Sequence, residues 1–211
     1  MKKIMFNDRY GLTEAVLSGR KTQTRRVVPK SIFQSEYDID EDKRKIWIED
    51  MYGDWHDVRK SKYCFKVGEV VAIAQCYKDC GFDPNIPQIW TDKGVFIFDD
   101  CPISQLAGWN NKLFVLAALM PHHIRITNVR VERLQDITEE DCIKEGIYKD
   151  ATACFNHCAY DYYKCINNCV VATRWYNTPR EAYAVLIDRI SGKGTWESNP
   201  YVFVYDFELV D

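Results

Sequence analysis

The stretch Gly19-Arg20-Lys21-Thr22-Gln23-Thr24-Arg25-Arg26-Val27-Val28-Pro29 packs four cationic side chains and two threonine hydroxyls into the seven positions from Arg20 to Arg26. It follows a short helical pattern, Leu12 to Ser18, that stops at Gly19. A helix that ends at a glycine and releases a basic, hydroxyl-rich strand presents donors to a phosphate or a nucleobase. The competing reading is a solvated edge strand with protective charges, since basic runs of this length only suggest nucleic acid.

Around that stretch, composition sets the limits. A chain of 211 residues with 46% hydrophobic and 14% aromatic content reads as one globular domain, 1–211, with insertions. A net charge of −3 excludes a generally basic nucleic-acid binder. RNA or nucleotide contact would therefore come from a local patch, here Arg20, Lys21, Arg25, Arg26 and Lys30 with no acid among them. No run approaches the ~20 apolar residues of a membrane span. Met1-Lys2-Lys3 leads into Ile4-Met5-Phe6 and then Asn7-Asp8, which is no signal peptide, so a cytoplasmic protein without membrane contact is expected.

In that compartment the nine cysteines should be mostly reduced. Cys154, Cys158, Cys165 and Cys169 form a cluster around His157, and two i, i+4 pairs in a hairpin would place four sulfurs around zinc. The spacing is not that of the usual zinc motifs. Unpaired thiols packed as small hydrophobes are the alternative, and no metal or other cofactor is assigned.

Lys3 to Phe6 reads as a first strand and Val70 to Cys76 as a buried one. Residues 31–62 read as an insertion with one short strand around Ile46 to Ile48, 80–111 as a loop-like insertion, and 150–177 as a third. His123 to Leu134 alternates, with a parity shift that predicts a bulge near Asn128. Thr138-x-x-Asp141 caps a helix that ends at Gly146, and Thr178-Pro179-Arg180-Glu181 caps another that ends at Gly192. A long closing strand spans Tyr201 to Val210. Dominant strands, flanking helices and irregular order predict an α+β barrel.

Three stretches carry a resemblance. Ala15-Val16-Leu17-Ser18-Gly19-Arg20-Lys21-Thr22-x-Thr24-x-Arg26 resembles the opening motif of the ASCH family, small β-barrel domains related to the PUA RNA-binding fold. Leu134 to Gly146 is similar to that family's central helix, which closes on Glu-Gly, and Trp196 to Phe207 to the closing strand of longer, phage-associated members. The resemblance implies a PUA-like barrel with flanking helices and loop insertions. The small bacterial enzymes of the family are amidohydrolases that deacetylate N(4)-acetylcytidine with a lysine base, a threonine nucleophile and a glutamate proton donor. Those roles fall on Lys21, Thr24 and Glu145 of this chain.

The residue chemistry fits those roles without requiring them. A lysine starts near pKa ~10.4 and needs burial or neighbouring cations to act as a base; Arg20, Arg25 and Arg26 are the cations at hand. A threonine hydroxyl attacks a carbonyl only with such a base. Glu145 ends a helix, where the macrodipole works against a carboxylate, as a proton donor requires. Against this, residues three apart on a regular strand point to opposite faces, so Lys21 and Thr24 converge only if the chain turns between them.

Each residue also has a plainer role: Lys21 as a phosphate contact, Thr24 as a β-branched strand residue, Glu145 as a surface acid. Trp196 is either a stacking surface for a base or half-buried core. Substrate contacts are assigned to Arg20, Thr22, Arg25, Arg26 and Trp196. The expected function is binding of RNA or a modified nucleoside, with amidohydrolase activity on an acylated pyrimidine nucleoside. The alternatives are a non-catalytic RNA-binding module and an accessory protein of a phage or mobile element whose insertions dock a partner.

Overall fold

The computed structural model describes residues 1–34, 37–40, 45–50, 52–91, 94–97, 101–150, 159–161, 163–166, 169–172 and 176–210. In chain order the strands are β1 (Lys3–Ile4), β2 (Gln23–Val27), β3 (Tyr37–Asp40), β4 (Lys45–Glu49), β5 (Trp55–Asp57), β6 (Val70–Ile73), β7 (Gln88–Thr91) and β8 (Gly94–Ile97). They continue with β9 (His123–Arg133), β10 (Tyr148–Asp150), β11 (Ala159–Asp161), β12 (Tyr163–Ile166), β13 (Cys169–Ala172) and β14 (Tyr201–Leu209). The helices are α1 (Leu12–Leu17), α2 (Glu139–Lys144), α3 (Pro179–Ser191) and α4 (Thr195–Ser198), joined by several 3-10 turns. The class is α+β. The sheets are open and do not form a closed barrel among the described residues.

The chain, read above as one domain, divides into two compact units. The first comprises Met1–Phe6, Val70–Arg125 and Leu209–Asp211. In it β1 runs parallel to β6, with Ile4 opposite Ile73, and β6 runs antiparallel to the start of β9, with Val71 opposite Ile124. Ala72, Ala74, Tyr77, Ile103, Val115, Leu119 and Met120 form its core. Lys3 Nζ donates to the carbonyls of Leu113 and Val115, both at 2.7 Å, and so ties β1 to a following turn. The 80–111 segment, expected to be loop-like, contains the β7–β8 hairpin, whose register pairs Trp90 with Val95.

The second unit, Asn7–Glu69 and Ile126–Glu208, holds the motif residues. Here β14 lies between β9 and β2, and β2 runs antiparallel to it with Arg25 opposite Val204 and Gln23 opposite Asp206. Residues Thr127 and Asn128 of β9 are both exposed between buried Ile126 and Val129, which is the expected parity shift. The 31–62 insertion builds a three-stranded sheet, β3-β4-β5, where a single strand was expected. β3 alternates but is only four residues long, and β5 is three residues, Trp55-His56-Asp57, too short to carry a period.

Both helix starts form as their sequences dictate. The Thr138 and Thr178 side chains accept from the backbone N–H of Asp141 and Glu181, three residues on. The apolar stripe of α3 buries Ala182, Tyr183, Leu186 and Ile187. Helix α4 was not expected; it follows Gly194, and Asp188 fixes its start by accepting from the N–H groups of Gly194 and Trp196.

Candidate functional site

The start of β2 and the end of α2 are joined through backbone. Thr22 N–H donates to the Lys144 carbonyl at 2.9 Å, and Lys21 N–H donates to the Ala15 carbonyl at 2.8 Å. Gly146 turns the chain out of α2 with φ +100, a conformation that L side chains rarely adopt. A Cβ there would lie 3.5 Å from Lys21 Cβ, an ordinary contact distance, so the backbone conformation and not space calls for the glycine.

Lys21 and Glu145, 124 positions apart, meet in this corner. Lys21 Nζ donates to Glu145 Oε2 at 2.5 Å and to the Glu145 carbonyl at 2.8 Å. Both residues are almost wholly withdrawn from water, at 2% and 4% exposure. Burial pushes the Lys21 ammonium below its ordinary pKa and outweighs the opposing charge and hydrogen bond of Glu145; Arg26 and Arg25 push the same way as burial.

Arg25 organises the carboxylates around this pair. It donates to Glu145 Oε1 at 3.2 Å, Glu132 Oε1 at 2.6 Å and Asp141 Oδ2 at 2.9 Å, and also to Gln23 Oε1. Burial works against its charge, but Glu145, Tyr183 and Glu132 outweigh it and hold the guanidinium above its ordinary pKa. Arg130 donates to Glu132, Asp141 and Asp206. Gln23 Nε2 donates to Asp141 and Asp206, and Asn128 Nδ2 donates to Asp206. Lys21, Arg25 and Arg130 thus face Glu132, Asp141, Glu145 and Asp206. Lys144 lies 3.8 Å from Asp141, so four cations meet four carboxylates, and Lys21 and Arg25 of the basic stretch are folded into this charge-balanced network.

Thr24 is buried at 4% exposure and pairs with Tyr205 across the β2–β14 ladder. It lies between Gln23 and Arg25, so its side chain projects to the opposite face of the strand. No hydrogen bond joins it to Lys21 or Glu145 among the described residues. Arg26, half-buried opposite Phe203, has its pKa lowered by burial against the pull of Glu145. Arg20 pairs with Glu14. Thr22 is exposed.

Trp196 is half-buried, with Tyr183 edge-on at 6.3 Å and the Arg180 guanidinium 5.2 Å over its ring. The Tyr183 hydroxyl is buried without a hydrogen-bond partner among the described residues, and its pKa is raised by burial and then by Glu145.

Of the expected trio Lys21, Thr24 and Glu145, the structure brings Lys21 and Glu145 together, with Arg25 beside them, and leaves Thr24 apart. Gln23, Asn128, Arg130, Glu132, Asp141, Tyr183 and Asp206 were not assigned to the site from the sequence, although Asn128 was read as a bulge and Asp141 as part of a helix cap. Asp206 had a signal, as an acid between Tyr205 and Phe207 after the apolar run Tyr201 to Tyr205.

The cysteine quartet lies outside the described residues at Cys154 and Cys158, and for Cys165 and Cys169 only the strand backbone is described. Among the described residues, metal-ligand geometry occurs at Asp50, Asp54 and His56 on the β4–β5 turn. There Asp50 accepts from the Tyr52 and Asp54 N–H groups and lies 2.9 Å from His56 Nε2.

No family model, no curated protein and no solved structure matches this chain.

Proposed function

We propose that this chain is a PUA-like, metal-independent amidohydrolase that removes an acyl group from a modified pyrimidine nucleoside of the N(4)-acetylcytidine type. The observation that carries the reading is the buried Lys21–Glu145 pair, in which burial weakens the hold of the lysine on its proton. With one proton passed from Lys21 to Glu145, the neutral lysine takes the proton of the Thr24 hydroxyl as the oxygen attacks the acyl carbon. The C–N bond then breaks, the exocyclic amine leaves with a proton from Glu145, and water hydrolyses the acyl-threonine ester. Because Thr24 projects to the opposite face of β2 from Gln23 and Arg25, this step requires the start of β2 to turn on substrate binding so that the hydroxyl reaches Lys21.

The charge balance of the network favours a small neutral substrate over RNA. Arg25 is buried and held by three carboxylates, so it has little left to offer a phosphate backbone.

The test is incubation of the purified protein with N(4)-acetylcytidine, with release of cytidine followed by chromatography. Turnover is expected for the wild type and for Thr24→Ser, and none for Thr24→Val, which keeps the β-branch but lacks the hydroxyl. Lys21→Arg should lose about 100-fold or more, the usual scale of a general base. No turnover, with salt-sensitive RNA binding that Arg20→Ala and Arg26→Ala weaken, would overturn this reading in favour of a binding module.

A further inference from the structure

Strand alternation divides β4 into Ile46 and Ile48 on one side and Lys45, Trp47 and Glu49 on the other. Ile46 is buried and stands opposite Ile39, so the isoleucine side of the β3-β4-β5 sheet faces the interior. Trp47 and Trp55 stand on the outward side, Trp47 half-buried and Trp55 44% exposed. Each has a carboxylate directly across the ladder: Asp38 opposite Trp47, and Glu49 opposite Trp55. The two tryptophans are diagonal neighbours across β4 and β5, a position that sets Cβ atoms about 7–8 Å apart. Asp38, Trp47 and Trp55 line an open recess of about 440 Å³.

The charges of this face do not cancel around the tryptophans. Asp57 is held by Arg59, and Asp40 stands opposite Lys45, whose Nζ lies 5.6 Å over the Trp47 ring. Asp38 accepts from the Ile39 N–H at 2.9 Å through one oxygen. Neither Asp38 nor Glu49 has an ion-pair partner among the described residues.

We infer that this face docks an extended, arginine-bearing segment of a protein partner, with arginines at alternate positions. A guanidinium stacks on an aromatic ring and forks to a carboxylate, and it is less strongly hydrated than an ammonium. Two ring–carboxylate pairs offer that combination twice. Alternate side chains of an extended strand leave on one side about 6.6–6.8 Å apart, which matches the diagonal of the two rings. A nucleic acid or an anionic membrane would meet Asp38 and Glu49 with like charge. A free small cation would leave much of its surface in water in so open a recess, whereas a partner segment extends beyond it. The inference is independent of the amidohydrolase reading.

Calorimetric titration of the full chain with a capped Gly-Arg-Ser-Arg-Gly peptide tests this. The peptide should bind at least about 5-fold tighter than its lysine counterpart, and the citrulline counterpart, planar but neutral, should lose most of the affinity. Trp55→Leu and Asp38→Asn, both at exposed positions, should each weaken binding by about 3-fold or more, the scale of an exposed cation–π contact or ion pair. Lys45→Met, which removes the cation already over Trp47, should tighten it. Equal affinity for the arginine and lysine peptides, or affinity indifferent to both exposed substitutions, overturns the inference. Tighter binding of single-stranded RNA or of anionic vesicles than of the arginine peptide, weakened by Trp55→Leu, would also overturn it and assign the face to that partner instead.

Discussion

At Gly146 one residue sets both a helix end and a site. Its positive φ lets Glu145 close α2 and still reach Lys21. Gly146→Ala should cost about 1–2 kcal/mol from left-handed strain, measured by urea unfolding, and should lower turnover beyond what that loss explains. At Asp141, burial acts to raise the carboxyl pKa, but the hydrogen bond and charge of Arg25, with Gln23 and Arg130, hold it below the ordinary carboxylate value. The unfolded chain therefore protonates there first. The stability from this group is whole above the ordinary value of about 3.9 and is lost as pH falls through the lower folded value. Asp141→Asn should flatten that acid limb in a plot of Tm against pH; an unchanged limb would show that Arg25 does not hold the carboxylate as described. Lys21 and Glu145 were legible because each sits in a recognisable motif. Arg130 and Glu132 were not, because alternating charges on a strand read equally well as a solvated face.

Among the elements, those with local punctuation were legible: the two threonine caps, the proline at the start of α3 and the parity shift in β9. Those held by tertiary packing were not. The strands β3, β4 and β5 are only three to five residues long, the β7–β8 hairpin lacks clean apolar alternation, and α4 is fixed by Asp188 from the preceding helix. In the first unit, the short 3-10 turn Ala107–Trp109 packs where only a glycine fits. A Cβ on Gly108 would come within 2.5 Å of Tyr77 Cε2, and the Tyr77 hydroxyl is anchored by accepting from Leu116 N–H at 2.9 Å. The ring cannot easily withdraw, so Gly108→Ala should destabilise by about 1–3 kcal/mol, the range for overpacking. A denaturation midpoint equal to wild type would mean that this core yields more readily than its packing indicates.

Over the whole molecule, net charge and motif order pointed in different directions, and the fold reconciles them. A chain at −3 holds its most basic segment in a network where carboxylates drawn from β9, α2 and β14 match the cations. Composition excluded a generally basic binder, but it could not show that Lys21 and Arg25 would be neutralised, because the carboxylates that pair with them lie more than 100 positions away in sequence. The proposed chemistry depends on one consequence of that network, a lysine that holds its proton less tightly than lysines in water. Direct titration of Lys21 Nζ by 15N-detected NMR tests it most directly. The midpoint should fall below the ordinary ~10.4, and Glu145→Gln, which removes the charge acting to raise it, should lower it further. A midpoint at or above ~10.4 in the wild type would contradict the role of Lys21 as a base.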